Sequence, residues 1–374
     1  MRLVTPGSRT LAGILAIVLG PATSSAQAQM PPGQAASWNQ AAAADYLDGR
    51  QAWWRTWPTA ARDNDTSCVS CHTSLPYALA RPALRAALHE AGTSPAEIDL
   101  LAGVAKRVRL WNEVEPFYPD QTRGLPKTSE SRGTEAILNA LILANRDAGG
   151  GRLRDDTRRA FENLWALQFT VGEETGAWAW LYFGLAPWES DGAEYFGAAL
   201  AAVAVGVAPD GYATSPEIQE RLDLLRAYLK RDAEGRRPLD GVMLLWAGSE
   251  ISDLVTDAEQ QGIVRDLTLL QNRDGGWSLS SLGEWRRQDG TSPDRASDGY
   301  ATGLIAFVLQ NAGASTAQDP VAPALNWLVE NQDPDTGQWP ASSLNTDREP
   351  MSDRGRFMSD AATAFAVLAL TGAK

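Results

Sequence analysis

One short pattern recurs along the chain and limits what it can fold into. An amphipathic run ends in glutamine, a glycine turn follows, and then comes tryptophan. It is seen at Gln271-Asn272-Arg273-Asp274-Gly275-Gly276-Trp277, after the run 263–270. It returns at 332–339, from Gln332 to Trp339, after the run 324–329. A third copy runs from Gln168, through an insertion, to Gly176-Ala177-Trp178. Repetition at this scale signals stacked helical units. It also gives the 14 tryptophans a place in the architecture. Glycine permits the turn, the glutamine amide can bond freed backbone groups at the helix end, and the tryptophan is expected to stack over the glutamine and lock the corner.

After each corner comes a helix of another kind, rich in Ala, Gly and Leu, as at 297–313, 359–372, 133–145, 191–206 and 239–248. Small apolar residues all round a helix mean burial on every side. Polar residues at each start suit an N-cap. Charged amphipathic runs such as 217–231 alternate with them as outer helices. The first pair is read at 41–57 and 75–88, with Pro82 expected to kink or delay the inner helix. Inner helices are predicted to begin near 73, 133, 191, 239, 298 and 359, recurring about every 57 residues. Six outer–inner pairs predict an all-α chain closed into an (α/α)6 toroid. An open solenoid or two helical bundles are the other ways to stack the same units.

The chemistry-bearing stretch is Cys68-Val69-Ser70-Cys71-His72, which holds both cysteines of the chain and one of its two histidines. Cysteines so spaced can each add to a haem vinyl group, with the following histidine under the iron, so the stretch predicts one covalent haem c held by Cys68, Cys71 and His72. A redox dithiol would need a βαβ setting, and a zinc site would need more ligands than His89 can add. His72 lies at the start of the first inner helix, and Met358 at the start of the sixth. In a closed ring those helices are neighbours. Met358 is therefore the predicted distal iron ligand, Met351 the runner-up. His89, 17 residues along the same helix, lies about 25 Å away.

The same end is expected to collect Glu135, Asp191, Glu194, Asp240, Asp298, Tyr300 and Asp360. Capping and polar lining is the first reading of these acids, acid–base work the second. Tyr77, Tyr195 and Tyr300 can shape a cavity for a flat or apolar ligand, or pack against the haem.

Residues 1–28 read as a secretory signal: Arg2 and Arg9, the apolar run 11–20, and Ala26-Gln27-Ala28 for cleavage. That run is too short to span a bilayer, so no membrane span is expected after cleavage. Residues 29–37 read as a flexible N-terminal segment and 38–374 as one domain. Export, most simply to the periplasm, agrees with covalent haem attachment. The formal charge of −13 moves near −15 once Arg2 and Arg9 are lost. An acidic chain is a poor match for nucleic acid and a fair one for a basic redox partner.

The Gln…Gly-x-Trp corners at 168–178, 271–277 and 332–339 resemble the QW repeats of squalene-hopene and oxidosqualene cyclases, whose α/α toroid is shared with the protein prenyltransferases. The resemblance covers roughly residues 38–374 in architecture and implies a central cavity opening at the inner-helix N-termini. The cyclase acid motif has only Asp63-Asn64-Asp65-Thr66-Ser67 to match it, without the paired acid, and the prenyltransferase zinc ligands have no counterpart. The functional expectation is therefore an exported mono-haem cytochrome transferring electrons on a cyclase-like scaffold. The alternatives are a haem-dependent redox enzyme acting on a hydrophobic, isoprenoid-like small molecule, and a terpenoid cyclase.

Overall fold

Helices account for most of the chain, in a computed structural model that describes residues 37–231, 236–313 and 320–372. The signal at 1–28 and most of the segment 29–37 lie outside the described residues. Trp38–Lys374 forms one unit. In order it contains α1 (Gln40–Thr56), the strands β1 (Ala61–Arg62) and β2 (Thr66–Ser67), α2 (Ser74–Ala87), α3 (Pro95–Arg109), the single turn α4 (Asp120–Arg123) and α5 (Lys127–Ala148). There follow α6 (Asp155–Ala166), α7 (Ala193–Val207), α8 (Gln219–Lys230), α9 (Pro238–Glu250), α10 (Asp257–Leu270), α11 (Gly299–Asn311), α12 (Val321–Glu330) and α13 (Phe357–Thr371). Among the described residues the chain is all-α apart from one small antiparallel hairpin. Among the described residues, no helix is long and apolar enough to cross a membrane.

Two classes of helix separate by burial. α7, α11 and α13 are buried almost all round, as their small side chains require, whereas α10 buries Leu267 alone. The buried helices touch in sequence: α2 with α5, α5 with α7, α7 with α9, α9 with α11, α11 with α13, and α13 with α2. α2 begins at Ser74 and continues past Pro82 without a break. A proline there deprives the Ala78 carbonyl of its helical donor, and the Asn145 amide of α5 supplies one instead at 3.2 Å.

The three corners are built alike. The glutamine amide donates to the glycine carbonyl of its own turn and to a carbonyl at the start of the next outer helix. Gln168 reaches Gly176 and Arg221, Gln271 reaches Gly275 and Pro320, and Gln332 reaches Gly337 and Asn39. Each tryptophan indole N–H donates to the carbonyl four residues before the glutamine: Trp178 to Leu164, Trp277 to Leu267 and Trp339 to Leu328, at 2.7–2.8 Å. The tryptophan thus donates to a carbonyl in the last turn of the outer helix, a job beyond the stacking expected of it. In the fourth pair, where no such corner exists, the Leu229 carbonyl takes the Tyr195 hydroxyl instead.

Asn39 precedes the first outer helix, so the Gln332 bonds join the last repeat to the first. Asn39 N–H returns a bond to Gln332 Oε1 at 2.6 Å, and Trp38 packs on Trp339. Gly337 makes that closure possible: its φ is 76°, and a Cβ there would run into the backbone of Ala42. Gly337→Ala is expected to cost about 2–3 kcal/mol, from the strained backbone plus the clash. Gly290→Ala, at φ 78° with nothing near its Cβ, should cost about 1 kcal/mol. Urea midpoints that fall equally for the two would show that close approach plays no part.

Candidate functional site

The loop between α1 and α2 carries the cysteines and is held at several points. Its hairpin turns at Asp63-Asn64-Asp65, with Asn64 and Asp65 at positive φ, which Asn and Asp tolerate. The buried Arg107 of α3 then binds the loop through Thr66 Oγ1 (2.9 Å) and Asp63 Oδ1 (3.3 Å). Arg107 also pairs with Glu135 of α5 at 2.5 Å, with neither side chain exposed. Asp63 accepts the Glu115 N–H as well. This stretch is therefore a structural turn, its acids engaged by Arg107, the Glu115 N–H and Arg55.

Downstream, the Trp54 indole donates to the Cys68 carbonyl at 2.7 Å. Ser70 Oγ accepts the N–H groups of Thr73 and Ser74 and so caps α2. Cys68 and Cys71 are both buried and free, with no disulfide between them. Burial pushes the Cys68 thiol up to about 12 and the Cys71 thiol well above its ordinary value. Thiols so protonated are unsuited to a redox dithiol, which depends on a lowered pKa.

His72 has a defined tautomer. Its Nδ1 lies 2.8 Å from Thr73 Oγ1, and that hydroxyl donates its own proton to Asp360 Oδ2 at 2.6 Å. Thr73 can then only accept from the imidazole, which puts the ring proton on Nδ1 and leaves the Nε2 lone pair available. Desolvation, helped by the positive charge of Arg50, lowers the pKa of His72 to about 3, so the ring is neutral. Phe357 stacks on it at 3.9 Å and Trp54 meets it edge-on at 4.9 Å.

His72 and Cys71 open into a cavity of about 310 Å³, within the size range of small-molecule pockets. Its walls come from four connections: Trp57 and Thr59 before the hairpin, Tyr118 and Arg123 around α4, Phe183 to Glu189 before α7, and Ser343 to Arg354 before α13, with Phe357 and Met358 added from the first turn of α13. Asn345 clasps Ala186 through both backbone groups, at 2.7 and 2.8 Å, and ties the last two together. Trp188, with its indole on the Tyr300 hydroxyl, stands 6.1 Å from the His72 ring. Arg123, Arg348 and Arg354 are exposed at the rim, and none makes an ion pair among the described residues.

Met358 is buried and lines this cavity with His72. Met351 is half exposed and outside it, with Gln338 Nε2 against its sulfur at 3.6 Å. His89 is exposed beyond the far end of α2. The acids expected at this end are engaged elsewhere: Glu135 with Arg107, Asp240 with Arg237, Asp298 as the N-cap of α11, and Asp360 with Arg50, Tyr46 and Thr73. Asp191 and Glu194, on either side of the start of α7, are absent from the cavity lining. Tyr77 bonds Asp48 and Tyr195 bonds Leu229, away from the cavity, and only Tyr300 stands behind its wall. Among the described residues, no three His, Cys, Asp or Glu side chains converge to hold a metal ion by themselves. The expectation of metal binding is corrected accordingly for any site built from protein ligands alone.

Glu189 is the residue that sequence reasoning missed. It lies in an insertion between the third corner and α7, where no motif marks it. Desolvation raises its carboxyl to about 7, against the pull of Lys127 and with a small push from Glu130. The folded chain thus holds this proton more tightly than the unfolded chain, whose ordinary value is 4.5. The resulting stability is complete below pH 4.5 and is lost as pH rises through 7. Glu189→Gln is expected to outgain the parent across that window by about 2 kcal/mol, a figure reduced for partial exposure. Urea midpoints at pH 4.5 and 7.5 that shift in parallel would exclude this.

No family model matches the chain, and no curated protein matches it. Solved structures do. A glycosidase with a glutamate-to-alanine substitution aligns at TM-score 0.49 and 12% identity, over 89% of this chain and 98% of its own. A glycosidase with a phenylalanine-to-tyrosine substitution gives 0.49 and 13%, over 89% and 97%. A third, a glutamate-to-alanine variant in complex with glucose, gives 0.48 and 12%, over 89% and 98%. These neighbours are glycosidases, with no cytochrome and no cyclase among them. The expectation of an electron-transferring cytochrome, and its alternatives of isoprenoid redox chemistry and terpenoid cyclisation, are withdrawn on that finding.

Proposed function

We propose that this chain is an exported haem-binding protein, with one haem c attached through Cys68 and Cys71 and held by His72, on an (α/α)6 toroid of the kind found in terpenoid cyclases and prenyltransferases. The observation that carries the reading is His72. Its ring is neutral, its proton is committed to Thr73 through Nδ1, and its Nε2 is free in an apolar cavity shared with Cys71 and Met358. The toroid rests on the unbroken sequence of inner-helix contacts and on the Gln332–Asn39 bonds.

The residues suit the group. Cys68 and Cys71 would hold the group as thioethers, each S–H adding across one vinyl group with sulfur on one carbon and hydrogen on the other, which would need no oxidant. Imidazole nitrogen and thioether sulfur are both ordinary donors to haem iron, so His72 and Met358, which line one cavity, would be the residues to hold it. Aromatic rings on every wall suit a flat apolar macrocycle. The three rim arginines suit its two propionates. When bound, a haem would supply a redox-active iron centre.

Glu189 supports a second reading. A carboxyl near pH 7 beside aromatic rings suits a general acid, the role that one of two carboxylates plays in glycoside hydrolysis. Among the described residues lining the cavity, however, Glu189 is the one acid. Visible spectra of the exported protein, oxidised, dithionite-reduced and under carbon monoxide, decide between the two. A sharp reduced band that survives acid-acetone extraction is expected. A colourless protein from cells competent in haem attachment would end the haem reading. A reduced spectrum unchanged by carbon monoxide is the outcome expected with Met358 on the iron.

A further inference from the structure

A second cavity, of about 380 Å³, lies at the opposite ends of the inner helices. All six contribute to it, among them α2 through Leu79, α5 through Asn145, α7 through Val203 and Val207, and α13 through Leu368. Ala148 and Gly149 at its edge are exposed, so it communicates with solvent. Its wall is apolar with two exceptions, Asn145 and Glu250. Glu250 is the last residue of α9, where the helix dipole disfavours an anion. Ala148 and Val207 are likewise the last residues of α5 and α7, so three negative helix ends meet here. Glu250 packs directly on Gly206 of α7, in a space that a Cβ on residue 206 would fill. It makes no ion pair or side-chain hydrogen bond among the described residues, and desolvation alone raises its pKa. Beside it Trp246 is held edge-on to Phe307 at 5.4 Å. Asn145 spends its amide N–H on Ala78, which leaves its carbonyl oxygen for a ligand.

We infer that this cavity binds a small amphiphilic amine, its alkyl part among Leu79, Val203 and Leu368 and its ammonium between Glu250, Asn145 and the Trp246 ring. An unpaired carboxylate at converging helix C-termini favours a cation. An aromatic wall accepts both a cation and an alkyl chain. Neither feature favours a neutral or anionic ligand.

Calorimetric titration of the exported protein with hexylammonium, hexanol and hexanoate tests this. Hexylammonium is expected to bind once per chain, about tenfold or more tighter than hexanol, with hexanoate the weakest. Glu250→Gln, which keeps the shape, is expected to bring hexylammonium down to hexanol. Val207→Trp is expected to fill the cavity and abolish both. Ala148→Trp, at the exposed rim, serves the same purpose should the buried substitution not fold. Equal affinity for the three probes overturns the inference. So does a preference that survives Glu250→Gln, or binding that survives the filled cavity.

Discussion

Serine at both 68 and 71 is expected to give an exported chain from which acid-acetone removes every trace of haem, while the parent keeps it through the same extraction. The expectation follows from the arrangement of the loop. Both thiols are buried, neither is in a disulfide, and Cys71 lines the cavity together with His72, while Cys68 lies behind it, three residues back along the same loop. Serine is nearly the shape of cysteine, and the loop is held by Arg107 and Trp54 through Thr66, Asp63 and the Cys68 carbonyl. Folding should therefore survive, at about 1–3 kcal/mol for each hydroxyl buried without a partner. Cys68→Ser and Cys71→Ser alone should each keep one thioether, visible as a red-shifted reduced band. His72→Ala should keep both thioethers and change the axial spectrum. Haem that resists extraction from the double variant would place the attachment elsewhere in the chain.

The repeats were legible because each is a local pattern. The inner helices α2, α7, α9, α11 and α13 begin within two residues of the positions that capping residues and apolar runs predict. The second inner helix is instructive. Gly133-Thr134-Glu135 reads as a helix start, yet α5 begins at Lys127. Gly133 is in the middle of the helix because the backbone of Ala179 passes against it and leaves no room for a Cβ. A glycine kept for close approach cannot be told by sequence from one that starts a helix. Met358 and Met351 differ in the same way. They stand seven residues apart before or within one helix turn, and only the fold decides that one is enclosed and the other exposed. The cavity walls were the least legible part. Glu189, Asn345 and Arg123 sit on separate connections and meet only because the fold brings those connections together.

Asp360 shows how far a local reading falls short, and Asp360→Ala is expected to be the most damaging single change at this end. By sequence it is a capping residue of the last helix. In the fold it accepts from Arg50 Nε at 2.7 Å, Tyr46 at 2.8 Å and Thr73 at 2.6 Å, joining the first outer helix, the cysteine loop and the last inner helix. Asp360 and Arg50 are both almost fully buried, so alanine leaves a guanidinium in the interior without its main partner, at about 3–5 kcal/mol. Asp353, which also pairs with Arg50, has a side chain 59% exposed, and Asp353→Ala should cost under about 0.5 kcal/mol. The loss also reaches His72. Without Asp360, the Thr73 hydroxyl is free to donate to Nδ1, which moves the ring proton to Nε2 and removes the lone pair offered to iron. Two readouts should then change together in Asp360→Ala, the urea midpoint and the axial-ligand spectrum, whereas Asp353→Ala changes neither. A midpoint that falls while the spectrum stays the same would mean that His72 keeps its tautomer without the Thr73–Asp360 bond.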